Sequence, residues 1–252
     1  MIASLPMYDR RETAATLDRL WCHIRAHLDF KTPSFLTRGG NLWDQWQAPD
    51  LVLSQTCGYP YRARLKGHVQ LVASPQNDLP GCPPGHYNSV FVTRTDEPRR
   101  DLSDFADAVF AFSEPLSQSG WAAPQNHVAD LGFTFSNDLY TGAHIRSARA
   151  VAERSADIAC LDAVSWRLIQ QHEPYAANLQ EITRTAPTPA PPFITAPGQN
   201  AAQIRAALAA GIDAIGEADR ETLGLYGLTD VPEAAYLAVP NPAPPRDPRT
   251  RV

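Results

Sequence analysis

Apolar residues recur at Ala14, Leu17, Trp21, Ile24 and Leu28, three and four positions apart, a spacing that lines them along one face of a helix packed on a sheet. A short β-rich run, IASLPMY at 2–8, precedes that helix, so the chain opens as a strand and then a helix, with Tyr8 at the strand's end. Apolar, β-branched runs follow at LVLSQT (51–56), VQLVA (69–73), SVFVTR (89–94), AVFAFS (108–113) and DIACLD (157–162). Pro and Gly bound them, and each predicts a buried strand. Helices are predicted near 119–130, 143–155 and 163–171, and again over 200–215, where Ile204, Leu208, Ile212 and Ile215 carry the period. Strands alternating with helices in this way predict an α/β fold built on doubly wound sheets. EITRT (181–185) leads into APTPAPPFITAPG (186–198), whose prolines exclude helix and predict an extended crossing segment. Past Pro240 the chain is rich in Pro and Arg and is expected to fray. Crossings near 89–94 and 184–195 would divide the chain into a discontinuous lobe, 1–90 with 192–252, and an inserted lobe, 91–191. Ligands of such sheets sit beyond the carboxyl ends of the strands.

Composition narrows the function classes. The 252 residues are 44% hydrophobic and 19% charged, as in an ordinary globular protein. A net charge of −5 and the lack of a Lys/Arg run interleaved with aromatics argue against nucleic acid as a partner. No stretch approaches the ~20 apolar residues of a membrane helix, so no membrane insertion is expected. Met1 is not followed by a basic and then apolar leader, so the sequence reads as cytoplasmic as written, or periplasmic if a leader has been removed. Four cysteines, Cys22, Cys57, Cys82 and Cys160, include no CxxC pair, which argues against structural zinc. A Cys57–Cys82 bridge and idle thiols both stay open. Cys22, His23 and His27 could share a helix turn as metal ligands, but Trp21 and Ile24 mark the buried face there, and solvated side chains are expected instead. No cofactor motif is present, and a monomer is expected.

The segment with most chemistry in it is FSEPLSQSGW (112–121), a strand end, a turn, and then Ser117, Gln118, Ser119 and Gly120 opening a helix. Leading amides, hydroxyl donors and a glycine that permits close approach suit a tetrahedral oxyanion; helix capping by Ser117 or Ser119 is the alternative. His144, near the start of the next helix, could donate to such an anion or simply pack. Asp162 ends a buried strand, where it could meet a protonated ligand group or cap the following helix. Gln55, Thr56, Tyr59, Tyr61 and Tyr87 lie at strand ends, and with Tyr8 they suit either a pocket wall or sheet packing.

These segments, in this order, resemble the phosphate/phosphonate/phosphite-binding family of ABC-transporter solute-binding proteins. The likeness rests on the helix start SEPLSQSG (113–120), on Tyr87, Ser89 and Val90 before the first crossing, on Gly142 with His144, and on Asp157, Ala159 and Asp162. It covers nearly the whole chain. It implies the type II periplasmic-binding-protein fold, two lobes with mixed, mostly parallel sheets flanked by helices and two hinge crossings. It also implies a small anionic ligand held by Ser117, Gln118, Ser119, the following amides and His144, with tyrosine-bearing loops of the other lobe closing over it, and an ABC permease as partner. Three features depart from the family: Ser-Gln replaces its Ser-Thr pair, the crossing segment PTPAPPFITAP carries no acid to hold an ammonium group, and no leader is visible. An enzyme on the same fold using His144, or a ligand-sensing regulatory module, are the alternatives that the same residues allow.

Overall fold

Each apolar run between 51 and 162 forms a strand. In chain order the strands are β1 (Ile2–Ala3), β2 (Leu51–Gln55), β3 (Gln70–Gln76), β4 (His86–Tyr87), β5 (Ser89–Arg94), β6 (Phe110–Phe112), β7 (Asp138–Tyr140), β8 (Ile158–Asp162), β9 (Leu179–Arg184), β10 (Thr188–Pro189), β11 (Phe193–Thr195) and β12 (Gly227–Thr229). The computed structural model describes residues 1–246. These group into two units. The first comprises Met1–His86 with Pro189–Ala238; the second comprises Tyr87–Thr188 with the described residues from Val239 onward.

In the first unit the sheet order is β1-β2-β11-β3-β12. β1 and β2 are parallel, β11 is antiparallel to both β2 and β3, and β12 is antiparallel to β3. In the second unit the order is β7-β6-β8-β5-β9, with β7, β6 and β8 parallel and β5 antiparallel to β8 and β9. Both sheets are therefore mixed: β11 and the edge strand β12 run against β1, β2 and β3 in the first, and β5 alone runs against the other four in the second. The chain passes between the units at 86/87, at 188/189 and a third time at 238/239. β4 and β10 pair in a separate two-stranded sheet.

The first strand is shorter than its apolar run. Pro6 begins a 3-10 turn, Pro6–Tyr8, so Tyr8 lies in that turn and not at a strand end. The helix Ala14–Ala26 buries Leu17, Leu20, Trp21 and Ile24 against the sheet and against the helix Ala201–Ala214. The two helices approach closely at Gly211, where a Cβ would come within 2.7 Å of Ile24 Cγ1. The second unit's core is aromatic: Phe110 stacks on Phe135 with 4.3 Å between centroids, and Phe112 lies 4.9 Å from Trp121. The C-terminal segment, expected to fray and to accompany the first lobe, groups with the second unit and is hydrogen-bonded there. Trp121 Nε1 donates to Ala243 O (2.9 Å), Asn126 Nδ2 to Pro240 O (3.0 Å), and the Arg246 amide to Asp138 Oδ2 (2.7 Å). Residues 247–252 lie outside the described part. None of the four cysteines is in a disulfide, so Cys57 and Cys82 form no bridge; Cys57 Sγ lies 3.7 Å from Met7 Sδ.

Candidate functional site

The second unit assembles a polar cluster where β6 gives way to a helix. Ser117 has extended backbone (φ −68°, ψ 126°), and its Oγ accepts the Gly120 amide at 2.9 Å, which makes it the helix N-cap. Its carbonyl accepts the amides of both Trp121 (3.2 Å) and Ala122 (3.0 Å). The second bond spans five residues, so the helix opens as a π turn, Gln118–Ala122, and continues as an α-helix over Ala123–Ala129. Pro124 accounts for the widening. It has no N–H to donate, and its ring would crowd the carbonyl four residues back, which is that of Gly120. Ser117, Gln118, Ser119 and Gly120 are all buried.

A loop tied to the same strand end brings in His144. The Thr141 amide and hydroxyl both donate to Phe112 O, at 2.9 and 2.8 Å, and Ser147 Oγ lies 2.7 Å from Thr141 Oγ1. Gly142 (φ +78°) turns the chain, and His144 begins the helix His144–Ala152. Its Nε2 lies 2.9 Å from Ser119 Oγ. The residue is half-buried as a whole, yet Nδ1 is shut off from solvent and has no hydrogen-bond partner. Burial pushes the imidazole pKa down to about 4, so it is neutral at pH 7.

Gly120 sits at the centre of these groups. A Cβ there would fall 2.3 Å from Ser113 Oγ, 3.1 Å from Ser117 Oγ and 3.2 Å from His144 Cε1. Ser113 Oγ is buried and has no partner. This serine lies within FSEPLSQSGW but escapes a motif-based search for donors; its position directly after a buried strand is the signal that marks it. The cluster thus presents hydroxyls, helix-start amides and a neutral imidazole, which are donors without net charge.

The other candidate residues divide by unit. Asp162 ends β8, the strand packed on this helix start, but its Oδ1 accepts the Ser165 amide at 2.8 Å and caps the helix Ala163–His172. Tyr87 is buried at the end of β4. Tyr8, Gln55, Thr56 and Tyr59 belong to the first unit. Tyr8 and Gln55 line an apolar cavity there with Leu17, Leu20 and Phe193. Gln55 Nε2 donates to Pro191 O (2.9 Å), and the Thr56 amide donates to Pro192 O (3.1 Å). Tyr59 is buried beneath the Arg62 guanidinium, 4.6 Å from its ring centre, and burial raises its phenol pKa. Tyr61, also buried, donates to Glu233. Among the described residues, no His, Cys, Asp or Glu cluster could hold a metal ion.

Two α/β units with mixed sheets and a chain that crosses repeatedly between them, one unit carrying a donor-lined helix start, define a solute-binding protein of the type II periplasmic class. Residues 47–236 match the sequence profile described as ABC transporter, phosphonate, periplasmic substrate-binding protein, and the chain belongs to that family. No curated protein sequence matches it significantly. Among solved structures, it is similar to PhnD1 from Prochlorococcus marinus in complex with methylphosphonate, at TM-score 0.75 and 13% identity over 93% of each chain. It is also similar to the binding-protein component of an ABC phosphonate transporter from Pseudomonas aeruginosa, at TM-score 0.69 and 15% identity over 90% of this chain and 80% of that one. A third similar structure, a Xanthomonas citri protein bound to ATP, has TM-score 0.63 and 15% identity over 93% and 92%. At such identities these structures speak for the fold.

Proposed function

We propose that the protein captures a small tetrahedral oxyanion of the phosphonate, phosphite or phosphate class, held in the second unit by Ser117, Gln118, Ser119, Gly120 and His144, for delivery to an ABC permease. The observation that carries this reading is the convergence of Ser113, Ser117 and His144 on Gly120, whose missing side chain lets these three groups pack against the helix start. Helix-start amides and hydroxyls stabilise an anion through fixed dipoles. Ser113 Oγ and His144 Nδ1, buried and unpartnered, are groups that a ligand would satisfy.

The Ser119–His144 contact also has the reach of a nucleophile and its base. Against catalysis stand an imidazole held near pKa 4, a weak base at neutral pH, and an Nδ1 with no carboxylate to orient it. Binding without turnover is therefore the reading adopted. Calorimetry with methylphosphonate, phosphite and phosphate tests it. At least one should bind saturably, remain chemically intact and lose affinity in His144→Ala; absence of heat with all three, or turnover of any, defeats the reading.

A further inference from the structure

Residues 239–246 run along the second unit with neither helix nor strand. Each residue from Val239 to Pro245 is a proline or stands directly before one. Proline fixes φ at about −65°, and a residue before proline is confined to extended backbone, so the sequence alone sets this segment close to a polyproline II helix. Its polar contacts fall on every third residue. Asn126 Nδ2 donates to Pro240 O at 3.0 Å, Trp121 Nε1 donates to Ala243 O at 2.9 Å, and the Arg246 amide donates to Asp138 Oδ2 at 2.7 Å. A polyproline II helix has about three residues per turn, which puts positions 240, 243 and 246 along one face. Pro245 is buried.

The receiving surface draws on three elements of the second unit: the π turn gives Trp121, the helix after it gives Asn126, and the edge strand β7 gives Asp138. Trp121 is only 2% exposed, and its ring packs on Phe112 with 4.9 Å between centroids, so the indole N–H is held in place. The prolines of the segment have no N–H, so it cannot extend the sheet beside β7, and its carbonyls are what the surface reads. A rigid aromatic surface whose donors face the carbonyls of an already extended chain is suited to recognising proline-rich segments, because little entropy is lost on docking.

We propose that Trp121, Asn126 and Asp138 form a recognition site for an extended proline-rich segment, occupied in cis by residues 239–246, which dock and release as a unit while the second unit stays folded. The inference stands apart from the oxyanion reading, since none of these three side chains is among the groups assigned to the anion. Native-state hydrogen exchange on the full-length protein tests release. After correction for intrinsic rates, the Trp121 indole N–H should exchange at least about tenfold faster than the amides of the buried strand β8, through a local opening that mild urea leaves unchanged. Recognition is tested in the full chain carrying Pro240→Gly, Pro242→Gly and Pro244→Gly, which removes the preset conformation. Its Trp121 indole resonance should move away from the wild-type position. A synthetic peptide with the wild-type sequence of residues 239–246 should return it saturably, with a Kd on the order of millimolar. The same peptide with the three glycines should bind at least about tenfold more weakly. If the glycine variant does not fold, the exchange measurement on the wild type decides. An indole that exchanges only with global unfolding, an unmoved resonance in the variant, no return at about 10 mM peptide, or equal binding of the glycine peptide each overturns the proposal.

Discussion

Gly120→Ala separates what the helix start does for folding from what it does for ligand. Gly120 does not occupy the left-handed region, so alanine meets no backbone penalty there and gains about 1 kcal/mol of helix propensity. Against that, the new Cβ lands 2.3 Å from Ser113 Oγ. This hydroxyl can rotate away without forfeiting a hydrogen bond, at about 0.5–1.5 kcal/mol for a poorer rotamer. Ser117 Oγ and His144, at 3.1 and 3.2 Å, must each yield slightly, within the roughly 1–3 kcal/mol that overpacking costs. The terms leave a change of about 0.5–3.5 kcal/mol destabilising, or at most about 14 °C in Tm for a chain of this size. Ligand affinity should fall as well. The methyl group occupies the approach to the hydroxyls, and losing two hydrogen bonds to a charged guest, about 1.5 kcal/mol each at the low end, weakens Kd roughly a hundredfold. Calorimetry with methylphosphonate beside a thermal melt reads both quantities. Gly198→Ala, where a Cβ meets nothing within 4 Å, is the control and should alter neither. A folded Gly120→Ala protein that binds within about a factor of three of wild type refutes the reasoning.

Two further outcomes follow from the same cluster. The His144 pKa lies near 4 in the folded protein and at its ordinary value near 6.5 when unfolded, so protonation favours the unfolded chain. Its cost to stability is absent above pH 6.5, grows as the pH falls, and reaches about 3 kcal/mol below pH 4. His144→Gln should flatten the slope of unfolding free energy between those limits; urea melts of the two proteins that run parallel across that window count against a buried neutral imidazole. Asp162→Ala should cost about 1 kcal/mol through loss of the cap on Ser165, while Asp162→Asn retains stability and neither variant changes oxyanion affinity. Asn at that position lowering affinity about tenfold with Tm unchanged would make Asp162 a ligand group.

The sequence made some of this architecture legible for identifiable reasons. β2, β5 and β8 are buried along their whole length, apart from Arg94 at the end of β5, and buried strands leave continuous apolar runs in the text. β11 is equally buried but carries only Phe-Ile-Thr inside a proline-rich stretch; pairing on both sides, with β2 and β3, makes it a strand where local propensity gives no sign. β1 is overestimated because Pro6 ends the run despite its apolar content. The Ser117 cap and the opening of a helix near it are readable from Ser, Gln, Ser and Gly in series. The Ser119–His144 bond is not, since 25 residues separate the partners and only the Thr141 anchor on Phe112 brings them together.

Local rules and global structure agree over most of this chain, where apolar periods are buried and Asn41, Ser117, Asp162 and Asn200 cap the helices they precede. Two of the buried polar atoms without a partner, Ser113 Oγ and His144 Nδ1, belong to the residues that crowd Gly120 at the π turn. Leaving them unsatisfied costs stability that hydrophobic residues of similar size would not. The donors around them are hydroxyls, amides and a neutral imidazole, which suits an anion.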